Sequence, residues 1–168
     1  MKKDNIVLIG MPGCGKSTLG VVLAKTLNKD FIDVDLMIQA REKKKLHKII
    51  EEKGLDYFNR VENDVGMSVS AENAVISTGG SMIFGREAMA HLKSIGTVVY
   101  LRLPLDTIKK RIRNFATRGI SMKPGETLDD IFAVRSPLYE KYADIAIDCA
   151  DTTFEENLEK VIETLKDL

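Results

Sequence analysis

The sequence predicts an α/β protein, a parallel β-sheet covered by helices on both faces and built around a phosphate-binding loop. Three observations predict it. Short apolar runs alternate with helical periodicity along the whole chain, the pattern of repeated β-α-β units. The first run, Ile6-Val7-Leu8-Ile9, leads directly into Gly10-Met11-Pro12-Gly13-Cys14-Gly15-Lys16-Ser17-Thr18, which fills every special position of G-x-x-x-x-G-K-[ST]. At 168 residues, 44% hydrophobic and 30% charged, the chain suits one globular domain spanning 1–168 with a sizeable core.

Taken in order, residues 6–9 form an apolar strand, and the glycine loop after them opens a helix over 16–27. Residues 31–34 read as the second strand. A helical region follows over 36–71, with breaks near Leu46 and Gly54. The apolar run 74–77, closed by Thr78-Gly79-Gly80, is the third strand, and 86–95 the next helix. Strand four covers 97–101, with helices over 105–113 and 128–142 after it. Strand five covers 145–147, and a last amphipathic helix runs over 154–168. In such a sheet ligands gather at the carboxyl ends of the strands.

The glycine loop defines half of the chemistry. Its glycines let main-chain N–H groups wrap a polyphosphate, Lys16 reaches the β and γ phosphates, and the Ser17 hydroxyl is a ligand for Mg²⁺. The helix that starts at Lys16 turns its positive dipole end to the same anion. Gly10, Gly13, Cys14, Gly15, Lys16, Ser17 and Thr18 therefore form a nucleoside triphosphate site. Cys14 stands at a variable position as a small filling side chain rather than a nucleophile.

Composition narrows the partners. Basic and acidic residues balance at 25 each, so no basic field calls for nucleic acid or a membrane surface, and a small-molecule substrate is expected. The run Arg41-Glu42-Lys43-Lys44-Lys45-Leu46-His47-Lys48 reads as a solvated face. Two cysteines, one inside the nucleotide loop, argue against a disulfide framework and for a reducing, cytoplasmic setting. No apolar stretch approaches the roughly 18 residues of a membrane span. His47 and His91 lack companions at metal-ligand spacing, and with no large apolar face left over a monomer is expected.

Polar residues cluster where the sheet should present its site. Phe31-Ile32-Asp33-Val34-Asp35 places two acids, Asp33 and Asp35, two residues apart at a strand end, pointing to one side, so that one can assist a metal, directly or through water, and the other can take or orient a hydroxyl proton. Asp35 is also suited to cap the helix that follows. Gly79 and Gly80 permit close main-chain approach to a substrate. Residues 114–127 are polar and weakly periodic, the character of a lid that closes over nucleotide and carries Arg118 to the phosphates.

These residues resemble the shikimate kinases, within the nucleoside monophosphate kinase-like group. The resemblance rests on Gly10 to Thr18, Asp33-Val34-Asp35, Gly54-Leu55-Asp56-Tyr57-Phe58-Asn59-Arg60-Val61-Glu62, Thr78-Gly79-Gly80, Arg118, and Arg135-Ser136-Pro137-Leu138-Tyr139. It implies sheet order 2-3-1-4-5, a substrate-binding helical region at about 36–65, a lid, and transfer of the γ-phosphoryl of ATP to the 3-hydroxyl of shikimate. Carried over, it implies that Lys16 and Ser17 hold phosphate and Mg²⁺, Asp33 assists the metal, and Asp35 contacts the reacting hydroxyl. Arg118 would stabilise transferring charge, Arg111 stack near adenine, and Arg135 pair with the substrate carboxylate. Phe58, Asn59, Gly79 and Gly80 complete the acceptor pocket.

Three positions depart from the family pattern. Phe58 is followed by Asn59 rather than by a carboxylate-binding arginine, and Arg60, next but one and about 200° round a helix from Phe58, does not simply substitute. Ser81 stands where a third glycine is usual, and Arg118-Gly119-Ile120 replaces arginine-proline-leucine. A related kinase for another small hydroxylated metabolite is the alternative expectation. A guanine-nucleotide switch would need Asp-x-x-Gly after strand three and Asn-Lys-x-Asp later, and neither is present. A nucleotide-binding regulator without turnover is the third reading.

Overall fold

The computed structural model describes residues 3–112, 119–149 and 153–166. Five strands, β1 (Asn5–Ile9), β2 (Asp30–Asp33), β3 (Ala74–Ser77), β4 (Gly96–Arg102) and β5 (Ile145–Asp148), form one sheet in the order β2-β3-β1-β4-β5. Every neighbouring pair is parallel, with Val7 opposite Ile76 on one side and Val98 on the other. The sheet order is the one the resemblance implies. β1 and β3 are buried along their whole length, which explains why they read as continuous apolar runs rather than alternating ones.

The helices are α1 (Lys16–Thr26), α2 (Val34–Glu42), α3 (Leu46–Lys53), α4 (Leu55–Ser68), α5 (Arg86–Ile95), α6 (Leu105–Arg111), α7 (Leu128–Tyr142) and α8 (Phe154–Lys166). Right-handed crossovers decide their faces. From β1 the chain crosses towards β2 through α1, whereas from β3 it crosses the other way towards β4 through α5, so these two helices cover opposite faces. α8 packs on α1, α4 packs on α5, and α7 on α6 and β4. The direction of winding reverses at β1. That reversal opens a crevice at the carboxyl ends of β1 and β3, where the glycine loop begins.

The helical region expected over 36–71 is three helices, interrupted at Lys43, which takes a left-handed φ of 55°, and at Gly54, with φ 84°. β1, β4 and β5 each extend a residue or two beyond the expected runs, and the end of β2 needs correcting. Residue 34 is not strand: β2 ends at Asp33, and Val34 is already the first residue of α2. The cause is Asp33 itself, whose Oδ1 accepts from the Asp35 and Leu36 amides at 2.9 and 3.3 Å and caps the helix. Asp35 therefore does not cap α2, and the two acids are not a pair of strand-end side chains. Pattern reading also passed over a single 3-10 turn, Met82–Phe84.

Candidate active site

The glycine loop meets the conditions of an anion cradle. Gly15 takes φ 92° immediately before α1, a left-handed conformation that a side chain would strain, and no side chain caps the helix. The first-turn amides of α1 are thereby left to a ligand. Lys16 is 7% exposed, and its ammonium donates to the Gly10 and Met11 carbonyls at 2.7 and 2.9 Å. Those bonds hold the charge inside the loop. The next residue, Ser17, donates its Oγ hydrogen to Asp33 Oδ2 at 3.0 Å, and that Oγ lies 3.3 Å from Ser77 Oγ. Asp33 thus both caps α2 and reaches across to the loop serine.

A cavity of about 290 Å³ joins this loop to the acceptor side. Lys16, Ser17 and Thr18 line one wall; Asp35, Phe58, Glu62 and Arg135 line the others, with Gly79, Gly80 and Ser81 between them and Gly119 to Ser121 closing it. Its position follows from the fold, since β1 delivers the loop, β3 the glycines, α2 Asp35, α4 Phe58 and Glu62, and α7 Arg135.

The electrostatics of the cavity are those of acids short of water. Burial, with Asp33 adding to it and Lys16 opposing it, pushes the Asp35 carboxyl up from 3.8 to about 6. Glu62 is buried, and burial pushes it up from 4.5 to about 7 against the hydrogen bond from Ser81. That bond, Ser81 Oγ to Glu62 Oε1, is 2.6 Å, while Glu62 Oε2 has no partner. Gly79 is required by this crowding: a Cβ there would stand 2.6 Å from Glu62 Oε2 and 2.8 Å from Asp35 Oδ1.

Arg135 is 2% exposed, a deeply buried cation. Its Nη2 donates to the Ser121 carbonyl, its Nε has no partner, and its guanidinium lies 5.4 Å from the Phe84 ring centre. Tyr139, one helical turn further along α7, donates its hydroxyl to the Gly80 carbonyl at 2.5 Å. The loop after β3 is thereby fastened to the helix that carries the arginine.

Of the residues singled out from sequence, Gly13, Gly15, Lys16, Ser17, Thr18, Asp35, Phe58, Gly79, Gly80 and Arg135 meet in this one cavity. Cys14 and Arg111 line a second cavity of about 350 Å³ on the other side of the loop, together with Cys149, Phe154 and Asn157. Asn59 does not line the main cavity. It lies in an adjoining recess with Ser121 and Arg135, and its Oδ1 accepts from Ser121 Oγ at 3.2 Å. Arg118 and residues 114–117 of the expected lid lie outside the described residues.

Sequence reasoning assigned no role to Glu62, Ser81 or Ser121. Glu62 carried a usable signal, an acid four residues after Phe58 and so on the same helix face. Ser121 carried none, since only the tertiary structure brings it to Arg135. Among the described residues no group of three or more His, Cys, Asp or Glu could hold a metal, and no helix is long and apolar enough to cross a membrane.

Comparison with known proteins agrees with this geometry. The family model for shikimate kinase matches residues 12–166. A shikimate kinase of Clostridium botulinum (strain Okra) is 39% identical over 168 residues, covering 97% of this chain and 96% of that protein. One from a Sulfurihydrogenibium species is 34% identical over 163 residues, covering 96% and 98%. Among solved structures, shikimate kinase from Acinetobacter baumannii in complex with shikimate superposes with a TM-score of 0.88 at 28% identity, covering 97% of this chain and 93% of that one. The Aquifex aeolicus enzyme gives 0.82 at 35% identity, with 96% of each chain covered.

Proposed function

The chain belongs to the shikimate kinase family of phosphotransferases with an alcohol acceptor, and from that premise we propose that it moves the γ-phosphoryl group of ATP to the 3-hydroxyl of shikimate within the 290 Å³ cavity. One observation carries the reading. A single cavity has the phosphate loop with Lys16 as one wall and, as its others, a carboxyl pushed up to about 6 and a buried arginine.

Each residue then has a task. The α1 amides and Lys16 grip the β and γ phosphates, with the ammonium exchanging its bonds to the Gly10 and Met11 carbonyls for phosphate oxygens. Asp35, ionised above about pH 6, accepts the proton of the attacking hydroxyl. The new bond joins that oxygen to the γ phosphorus as the bond to the bridging oxygen of ADP breaks. Arg135 pairs with the acceptor carboxylate, Phe58 packs against its ring, and the main chain at Gly79 and Gly80 approaches it closely. Arg118 supplies charge to the transferring group, and Arg111 lies by the base in the second cavity.

Mg²⁺ fits this donor set: Ser17 Oγ and Asp33 Oδ2 are hard oxygens 3.0 Å apart beside the phosphate loop, and this cation uses few protein ligands with phosphate and water. It would neutralise phosphate charge. The two free, buried cysteines fit a reducing cytoplasmic setting, and we propose a monomer.

The test is ATP-dependent ADP release with shikimate and with a panel of other hydroxy acids, sugars and hydroxyl amino acids. Saturable stimulation by shikimate is expected. Asn59 in place of an arginine favours, as the second reading, a less acidic alcohol, and stimulation by such a compound with none by shikimate would decide for it.

A further inference from the structure

Arg135 is held by a chain of contacts that runs through Ser121 to Asn59. Ser121 connects two helices: its hydroxyl donates to Asn59 Oδ1 on α4 at 3.2 Å, and its carbonyl accepts from Arg135 Nη2 on α7. It is 9% exposed, so both bonds lie largely out of water. Just before it, Gly119 is pressed onto the start of α3, where a Cβ would stand 2.4 Å from that of Leu46. The segment 119–121 is therefore pinned at one end by α3 and at the other by Asn59, and it forms part of the cavity wall.

A guanidinium is a rigid fork, so occupying one arm sets the direction of the others. With Nη2 committed to Ser121, Nη1 faces the loop after β3 and lies 3.3 Å from where a Cβ on Gly80 would be. Gly80 lines the acceptor cavity together with Arg135. Asn59 carries no charge and lies outside that cavity, so it adds nothing to the attraction for a carboxylate directly.

We propose that Asn59 is a positioning residue for the acceptor: by holding Ser121 it fixes the carbonyl that aims Arg135 at the carboxylate. The proposal rests on the reading of Arg135 as the carboxylate partner, and it replaces a second charged contact with better aim of the first. A residue at 59 without a hydrogen-bond acceptor would leave Ser121 tied only through its main chain and widen the range of Arg135 orientations.

The experiment compares wild type, Asn59→Ala, Ser121→Ala and the double variant. A neutral hydrogen bond of ordinary net strength corresponds to about fivefold in an equilibrium constant. Each single variant should raise the KM for shikimate about fivefold, with kcat and the KM for ATP unmoved. The double variant should match the singles instead of multiplying them, because one shared bond is lost. Amide hydrogen exchange of residues 119–123 in the ligand-free protein should quicken in all three. An unchanged KM with quickened exchange would overturn the aiming role, as would multiplying effects, and unchanged exchange would overturn the latch itself. Because exchange needs no acceptor, quickened exchange in a chain whose wild type ignores shikimate would sink the functional reading and leave the latch standing.

Discussion

Replacing Glu62 by glutamine should reverse a pH-dependent weakness in the fold. The carboxyl is buried against Asp35 and takes one hydrogen bond, from Ser81, with Oε2 left unpartnered. In the unfolded chain it titrates near 4.5; in the folded protein burial pushes it up to about 7. Between those values the folded state keeps a proton that the unfolded state has lost, so stability falls as pH rises through the window. Above about pH 7 the whole cost is present, and at 1.36 kcal/mol per pH unit the gap corresponds to about 3 kcal/mol. Glutamine cannot ionise. Any cost of burying its unpaired N–H groups is the same at every pH, so the comparison isolates the charge. The stability of Glu62→Gln relative to wild type should rise by about 3 kcal/mol from pH 4.5 to pH 7.5. At about 2–4 °C per kcal/mol for a domain of this size, the difference in Tm should move by about 6–12 °C in favour of the variant. Thermal unfolding of both proteins across that range reads it directly, and parallel pH profiles would refute the account of Glu62 as an acid whose ionisation opposes folding.

Three further outcomes are expected. Lys16→Ala should lower turnover by about 10²–10³-fold with an unchanged far-ultraviolet circular dichroism spectrum, because the phosphate loop loses its only side-chain cation; full turnover would end that assignment. Since Asp35 must be ionised to take the hydroxyl proton and is pushed up to about 6, kcat/KM should fall about tenfold per unit below that pH, whereas a rate flat down to pH 5 would exclude Asp35 as the base. Gly79→Ala puts a methyl group 2.6 Å from Glu62 Oε2 and 2.8 Å from Asp35 Oδ1, so denaturant unfolding should show a loss of about 1–3 kcal/mol, together with a raised acceptor KM.

Much of the nucleotide half was legible because its chemistry is local. A strand, three glycines, a lysine and a serine within one short segment already determine where the amides and the ammonium go, and the structure has them there. The carboxylates were less legible. Asp33 and Asp35 share a strand face only if the strand continues to Asp35, and the Asp35 and Leu36 amides, donating to the Asp33 carboxylate, end it at Asp33. Position 59 misled in another way: the missing arginine was plain from the residues, but what asparagine does there depends on Ser121, 62 residues away in the chain.

By itself the sequence determined the α/β class, the phosphate loop, and the helices and strands whose periodicity survives in isolation, because each rests on interactions spanning at most a few turns. The tertiary structure alone decided that Glu62 and Asp35 crowd around Gly79, that Arg135 is buried and bonded to a main-chain carbonyl, and that burial pushes two acids above their usual range. The physical reason is common to all three. Burial and long-range hydrogen bonds depend on which distant segments the sheet order brings together, and a carboxyl group loses water only once those segments have closed around it.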